Sequence, residues 1–175
     1  GALAASFGDS VLLVTYPPGR TTAAGGPGRV GESLIAAGLR VTCHEISADP
    51  DTAAADDATA ACRSAGATVV VGVGGGGPLD AAKAVAMLAA NPGTAEDYQM
   101  GRPVEADPLP FVAVPTTVGT GSEATKNAVL SVHGEGGFKK SFRDERLVTA
   151  MTSQASLCFP KRISACAVRN RASDQ

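Results

Sequence analysis

The feature that most constrains this chain is a β-branched run feeding directly into four glycines. Thr68-Val69-Val70-Val71-Gly72-Val73 continues into Gly74-Gly75-Gly76-Gly77-Pro78. An unbroken apolar run of this length reads as a strand buried on both faces. From Leu79 to Ala90 the residues turn to helix formers, and Asn91-Pro92-Gly93 ends the segment. The unit is therefore strand, glycine turn, helix. Bare glycines let a ligand approach the backbone closely and allow positive φ at no steric cost. Pro78 is expected as the first helical residue, where its missing N–H loses nothing. Unpaired N–H groups and the helix dipole at such a start favour an anion. A phosphate or pyrophosphate is the expected guest. A merely connecting turn is disfavoured, because ordering four glycines costs much backbone entropy.

The rest of the chain repeats the alternation. Val11 to Thr15 reads as a strand, followed by the turn signal Pro17-Pro18-Gly19. Arg29 to Ala37 has helical apolar spacing and stops at Gly38. Arg40 to Ile46 alternates as a strand, and Asp51 to Ala65 is an Ala-rich helix closed by Gly66. Leu109 to Val114 is a further strand. Ala128 to Val132 and Phe138 to Phe142 bracket Gly134-Glu135-Gly136-Gly137 as a hairpin. Alternating strands and helices predict an α/β layer with a parallel sheet. With 175 residues and 44% hydrophobic content, the chain can bury a real core. After Arg143 the pattern degrades. The formal charge of −2 argues against a nucleic-acid partner. No apolar run of about 20 residues predicts a membrane span, and Gly1 to Asp9 shows no signal peptide. Cys43, Cys62, Cys158 and Cys166 form no Cys-x-x-Cys pair and are expected as reduced thiols, which points to the cytoplasm.

Two familiar phosphate-binding patterns fail on context. Gly72 to Gly77 satisfies G-x-G-x-x-G, but the acids at the right distance, Glu96 and Asp97, follow a loop rather than a strand. A Walker loop needs Gly-Lys-Ser/Thr, whereas Gly77 precedes Pro78-Leu79. Asp80 lies near the helix start, either as a charge favoured by the dipole or as a carboxylate beside a ligand's sugar or phosphate. Lys83 is its i+3 partner. A second loop, Pro115 to Thr125, brings five hydroxyls and two glycines in eleven residues. It follows the strand Phe111 to Val114. Both loops are thus expected at the carboxyl edge of one sheet, where open α/β sheets bind ligands.

Gly72-Val73-Gly74-Gly75-Gly76-Gly77-Pro78-Leu79-Asp80-Ala81-Ala82-Lys83 resembles the glycine loop of iron-containing (group III) alcohol dehydrogenases. Pro115 to Thr125 is similar to that family's second signature, Pro-Thr-Thr-x-Gly-Thr-Gly-Ser-Glu-x-Thr, almost without change, and Asn91 and Tyr98 to Gly101 also fit. The resemblance runs from about Val11 to Ser141. It implies an open parallel sheet flanked by helices, a Rossmann-like domain of the kind that dehydroquinate synthase also has at its N-terminus. It implies a NAD(P)-binding domain over residues 1–143, with 144–175 a degenerate tail where a helical metal-binding domain would begin. By resemblance, Gly74, Gly75, Gly76 and Gly77 hold the pyrophosphate with Asp80 beside them, Gly77 standing where many relatives have Ser. Thr116, Thr117 and Thr125 contact the cofactor. Lys139, with Lys140 as the fallback, lies near the nicotinamide ribose. Tyr16 replaces the acid that often selects NAD over NADP, so either cofactor is open.

The implied activity is hydride transfer between nicotinamide and a small alcohol or aldehyde. The family's iron or zinc ligands, one Asp and three His, are not matched here. Cys166 to Arg171 departs from the family's Gly-x-Asp-Ala-Leu helix, and Asp174 is out of register. A truncated form is therefore expected, with self-association into a homo-oligomer through an uncovered apolar face. His44 and His133 are too far apart in sequence and pattern to suggest a metal site. The resemblance leaves two alternatives: an inactive dinucleotide-binding fragment, and a lyase domain of the dehydroquinate-synthase type, which shares the fold but is less favoured by the near-intact threonine motif.

Overall fold

Valine-rich and leucine-rich runs form the inner strands of a parallel sheet in the computed structural model, which describes residues 1–17, 26–47, 49–117, 119–133, 137–147 and 151–152. A short helix α1 (Ala2–Ala5) leads into β1 (Ser10–Thr15), α2 (Gly26–Ala36), β2 (Arg40–Glu45), α3 (Thr52–Ser64), β3 (Val69–Gly74) and α4 (Gly76–Ala90). Then come α5 (Ala95–Gln99), β4 (Phe111–Pro115), a single 3-10 turn at Ser122–Ala124, β5 (Asn127–Val132), β6 (Phe138–Arg143) and β7 (Met151–Thr152). The main sheet has the order β2-β1-β3-β4-β7, and all its pairs are parallel. β5 and β6 form a separate antiparallel hairpin in which Val132 faces Phe138. The hairpin's turn at 134–136 lies outside the described residues, as do Cys158, Cys166 and the tail beyond 152.

Every residue of β1 and β3 is buried, as a strand covered on both faces requires. Leu12, Val14 and Val70 pack with Ala58, Cys62, Leu79 and Ala82 on the α3/α4 side. Val11, Leu13, Val69 and Val71 pack with Ala4 and Leu34 on the other side. Helix α4 is buried from Pro78 to Leu88, since it lies against the sheet and is also covered by α3 and the hairpin. Small residues make that close packing possible. A Cβ added at Gly72 would lie 2.9 Å from the Ala82 Cβ and 3.1 Å from the Phe111 ring.

The expected strands and helices are all present, with ends shifted by a few residues. The correction with most consequence concerns α4. It begins at Gly76, with Gly75 as its N-cap, so Pro78 is its third residue and not its first. Proline is tolerated there because first-turn N–H groups have no carbonyl partner within the helix, and the Gly74 carbonyl four residues back already accepts from Thr116. The helix α5 was not anticipated. Thr94 and Asp97 form a reciprocal capping box at its start, a pattern that was present in the sequence. The chain after Arg143 still contributes Leu147, packed in a core group with Met87, Leu88, Tyr98, Leu130 and Phe142, and β7 to the sheet. Among the described residues no helix is long and apolar enough to cross a membrane.

Candidate functional site

The strand order places a topological switch point between β1 and β3. From β1 the chain crosses to β2 on one side, then returns past β1 to β3 on the other. Loops leaving the two strands in opposite directions open a crevice at their carboxyl ends. Thr15 is paired with Val73, so Tyr16 follows one strand end beside Gly74 on the other. Gly74 is in turn paired with Pro115, and the Thr116 N–H donates to the Gly74 carbonyl at 2.8 Å. The glycine loop and the threonine loop therefore leave the sheet side by side.

Three glycines fit the crowding there. Gly74 has φ +152, and a Cβ on it would lie 2.7 Å from Pro78 Cγ and 3.1 Å from Tyr16 Cε2. A Cβ on Gly75 would lie 3.0 Å from Thr117 Oγ1 and 3.3 Å from the Tyr16 hydroxyl. On Gly76 it would meet Ser122 Oγ at 3.4 Å and Thr120 Cβ at 3.6 Å. No side chain caps α4 at Gly75. The N–H groups of Gly76 and Gly77 have no intrahelical acceptor and stand at the positive end of the helix dipole.

Beside these glycines lies a cavity of about 330 Å³, lined by Gly76, Gly77, Asp80, Thr120, Ser122, Thr125, Asn127, Val129, Lys139, Asp49 and Pro50. The structure thus brings Gly76, Gly77, Asp80, Thr125 and Lys139 to one cavity. Gly74, Gly75, Thr116 and Thr117 stand at the adjacent strand ends. Lys139, not Lys140, lines the cavity, while the Lys140 carbonyl accepts from the Gln99 amide on α5.

The second loop is anchored by a residue that the sequence offered only as an ion-pair partner. Lys83 is 1% exposed. Its Nζ does lie 3.7 Å from Asp80 Oδ1, but its closer partners are all on the threonine loop and the strand after it. It donates to the carbonyls of Ser122 at 2.7 Å, Thr125 at 3.0 Å and Asn127 at 2.7 Å, and to Thr125 Oγ1 at 3.2 Å. Burial pushes the Lys83 ammonium below the ordinary lysine range, opposed by the attraction of Asp80. Burial likewise pushes the Asp80 carboxyl up, opposed by Lys83, the Val129 N–H and the Ser122 hydroxyl. Each charge offsets the other's desolvation. No local pattern announced this bridge, since its acceptors are backbone carbonyls about 40 residues downstream.

Asp49 and Ser131 were also missed. Asp49 pairs with Lys139 at 2.6 Å and accepts from Ser131 Oγ. The two described histidines stand apart. His44 is in β2, and His133 Nε2 sits 3.6 Å from the Asp51 carboxylate. Among the described residues no group of three His, Cys, Asp or Glu side chains could hold a metal ion. The described cysteines, Cys43 and Cys62, are free thiols.

Comparison with known proteins settles the family. Residues 1–152 match the iron-containing alcohol dehydrogenase family. The chain belongs to that family. Among its relatives are sulfoacetaldehyde reductase of Bilophila wadsworthia, 33% identical over 137 residues, and the NAD-dependent methanol dehydrogenase of Bacillus methanolicus, 36% identical over 103. These alignments cover 77% and 58% of this chain, but 35% and 27% of the relatives. The structure of an iron-containing alcohol dehydrogenase from Thermotoga maritima superposes with a TM-score of 0.75 at 26% identity, covering 88% of this chain and 42% of that one. Sulfoacetaldehyde reductase from Bifidobacterium kashiwanohense, solved with NAD+, gives 0.72 at 26% identity, covering 87% and 40%. The chain therefore spans about a third of the length of the curated relatives it matches. It has the Rossmann-like domain of these dehydrogenases.

Proposed function

We propose that this chain binds a nicotinamide dinucleotide, NAD in the first instance, across the glycine and threonine loops. We also propose that it is the cofactor-binding part of an oxidoreductase acting on a small alcohol or aldehyde. The observation carrying this reading is the approach of Gly75 to Thr117 at the adjacent carboxyl ends of β3 and β4, next to the switch point. Two loops of different chemistry meet there, and both border the cavity through Gly76, Gly77, Thr120 and Ser122. The NAD-dependent methanol dehydrogenase and the NAD+ complex of sulfoacetaldehyde reductase support the choice of cofactor.

In this reading the N–H groups of Gly76 and Gly77 donate to diphosphate oxygens, helped by the α4 dipole. Gly74 and Gly75 keep the space beside the diphosphate free of side chains. Thr116 and Thr117 offer hydroxyls from the facing loop. Asp80 and Thr125 offer acceptors and a hydroxyl inside the cavity, and Lys139 places a cation beside the sugar–phosphate chain. When bound, the nicotinamide supplies the hydride donor or acceptor; the protein supplies binding and orientation. The described residues do not provide a ligand set for the family's divalent metal, so the roles derived from them are those of holding the cofactor.

The test is titration of NADH and NADPH into the chain, followed by nicotinamide fluorescence, for the parent and Gly75→Val. The valine side chain would fill the gap toward Thr117 and the Tyr16 hydroxyl. A loss of about tenfold or more in affinity, equivalent to ~1.4 kcal/mol, is expected. A parent that binds neither cofactor defeats the reading. Unchanged affinity in the variant removes the glycine loop from the site.

A further inference from the structure

The turn between β2 and α3 has no part in the two loops described so far, yet it reaches the same cavity. Asp49 and Pro50 line it together with Lys139. The backbone fixes this turn to the hairpin: Ser131 N–H donates to the Pro50 carbonyl at 3.0 Å, and Asp51 bridges to Ser131 in parallel. Ser131 is 5% exposed. Its hydroxyl donates to the Asp49 carboxylate, at 3.1 Å to Oδ1 and 3.2 Å to Oδ2. Lys139 Nζ then donates to Asp49 Oδ1 at 2.6 Å. The order of anchoring is clear from burial. Ser131 is buried in β5, while Asp49 and Lys139 are each more than half exposed as side chains. A buried hydroxyl orients an exposed carboxylate, which in turn holds an exposed ammonium.

We propose that Asp49 is a positioning residue of this pocket: clamped by Ser131, it holds the Lys139 ammonium at the cavity, where the cofactor's sugar–phosphate chain is to pass. This rests on the dinucleotide reading above. A lysine with its full rotamer freedom must be ordered when a ligand binds, and that ordering weakens affinity. Here the ordering is done in advance by a turn from another part of the chain. The carboxylate also lowers the net charge that Lys139 presents, so its contribution is to direction rather than to raw attraction. An exposed pair of this kind adds little to fold stability. Its effect therefore belongs in binding.

The test is calorimetric titration of NADH into the 175-residue chain and into Asp49→Ala, Asp49→Glu, Ser131→Ala, Lys139→Met and the Asp49→Ala/Lys139→Met double variant. Thermal midpoints are recorded in parallel. Asp49→Ala is expected to weaken binding by about threefold to tenfold, the cost of ordering one long side chain. Ser131→Ala should weaken it in the same direction. Asp49→Glu, which keeps the carboxylate, should recover most of the loss. The double variant should bind no worse than Lys139→Met alone, because Asp49 acts only through that lysine. Losses that multiply in the double variant would overturn the proposal, as would unchanged or tighter binding by Asp49→Ala. A general loosening of the turn would instead lower the thermal midpoint and persist in the Lys139→Met background, and that too counts against it. Failure of the parent to bind is a different result: it defeats the dinucleotide reading itself, and this proposal with it.

Discussion

Lys83→Met is the substitution with the largest effect expected from this structure. Methionine matches the lysine stem in length and removes only the ammonium. At 1% exposure the ammonium exchanges water for three carbonyls and one hydroxyl of the segment from Ser122 to Asn127, with Asp80 3.7 Å away. Removing one partner of a buried charge pair typically costs about 3–5 kcal/mol, because the other charge is left uncompensated. The stranded carbonyls add to this, but Thr125 is exposed and can turn to water, so the contributions are not additive. An overall loss of ~3–5 kcal/mol is expected. For a domain of this size, about 2–4 °C per kcal/mol gives a fall of roughly 6–20 °C in thermal midpoint. Calorimetry or circular dichroism on heating reads it directly. Adding Asp80→Leu to Lys83→Met should recover part of the loss, since the uncompensated carboxylate is gone. A midpoint within about 2 °C of the parent would refute the idea that Lys83 ties the threonine loop to α4. A double variant worse than the single one would refute the pairing with Asp80.

Gly72→Val should destabilise the sheet–α4 contact by about 1–3 kcal/mol or more, since even its Cβ would sit 2.9 Å from Ala82; a thermal midpoint equal to the parent's would show that the helix can move away freely. Burial pushes the Cys62 thiol up to about 11 from 9.0. The folded state thus holds that proton more tightly than the unfolded chain. This stabilising contribution is present below pH 9 and is lost as pH rises toward 11. The parent should therefore lose thermal stability faster than Cys62→Ala as pH rises from 9.0 to about 11, and parallel pH curves for the two proteins would contradict the burial of this thiol.

What the residues alone determined was local chemistry. The period of the apolar pattern gave buried strands at Val11–Thr15 and Val69–Val73, because a strand covered on both faces has no room for polar alternation. The glycine run and the threonine-rich loop were legible because backbone approach and hydroxyl density depend on residue type at adjacent positions. Even there the helix start was misplaced by a few residues, since glycine leaves the boundary to packing rather than to propensity. The capping box of Thr94 and Asp97 could have been read from the same local rules.

Tertiary structure alone decided which of these pieces meet. The order β2-β1-β3-β4 placed Tyr16, Gly75 and Thr117 at one crevice, which no local pattern specifies. It also chose the true partners of the polar side chains. Lys83 reads in the sequence as the i+3 partner of Asp80, but burial on α4 makes it the anchor of a distant loop. Asp49 and Lys139, 90 positions apart, became a pair only because Ser131 holds the β2–α3 turn against the hairpin. Sequence fixes what a side chain can donate or accept; how far it lies from water and from its partner is settled only when the chain has packed.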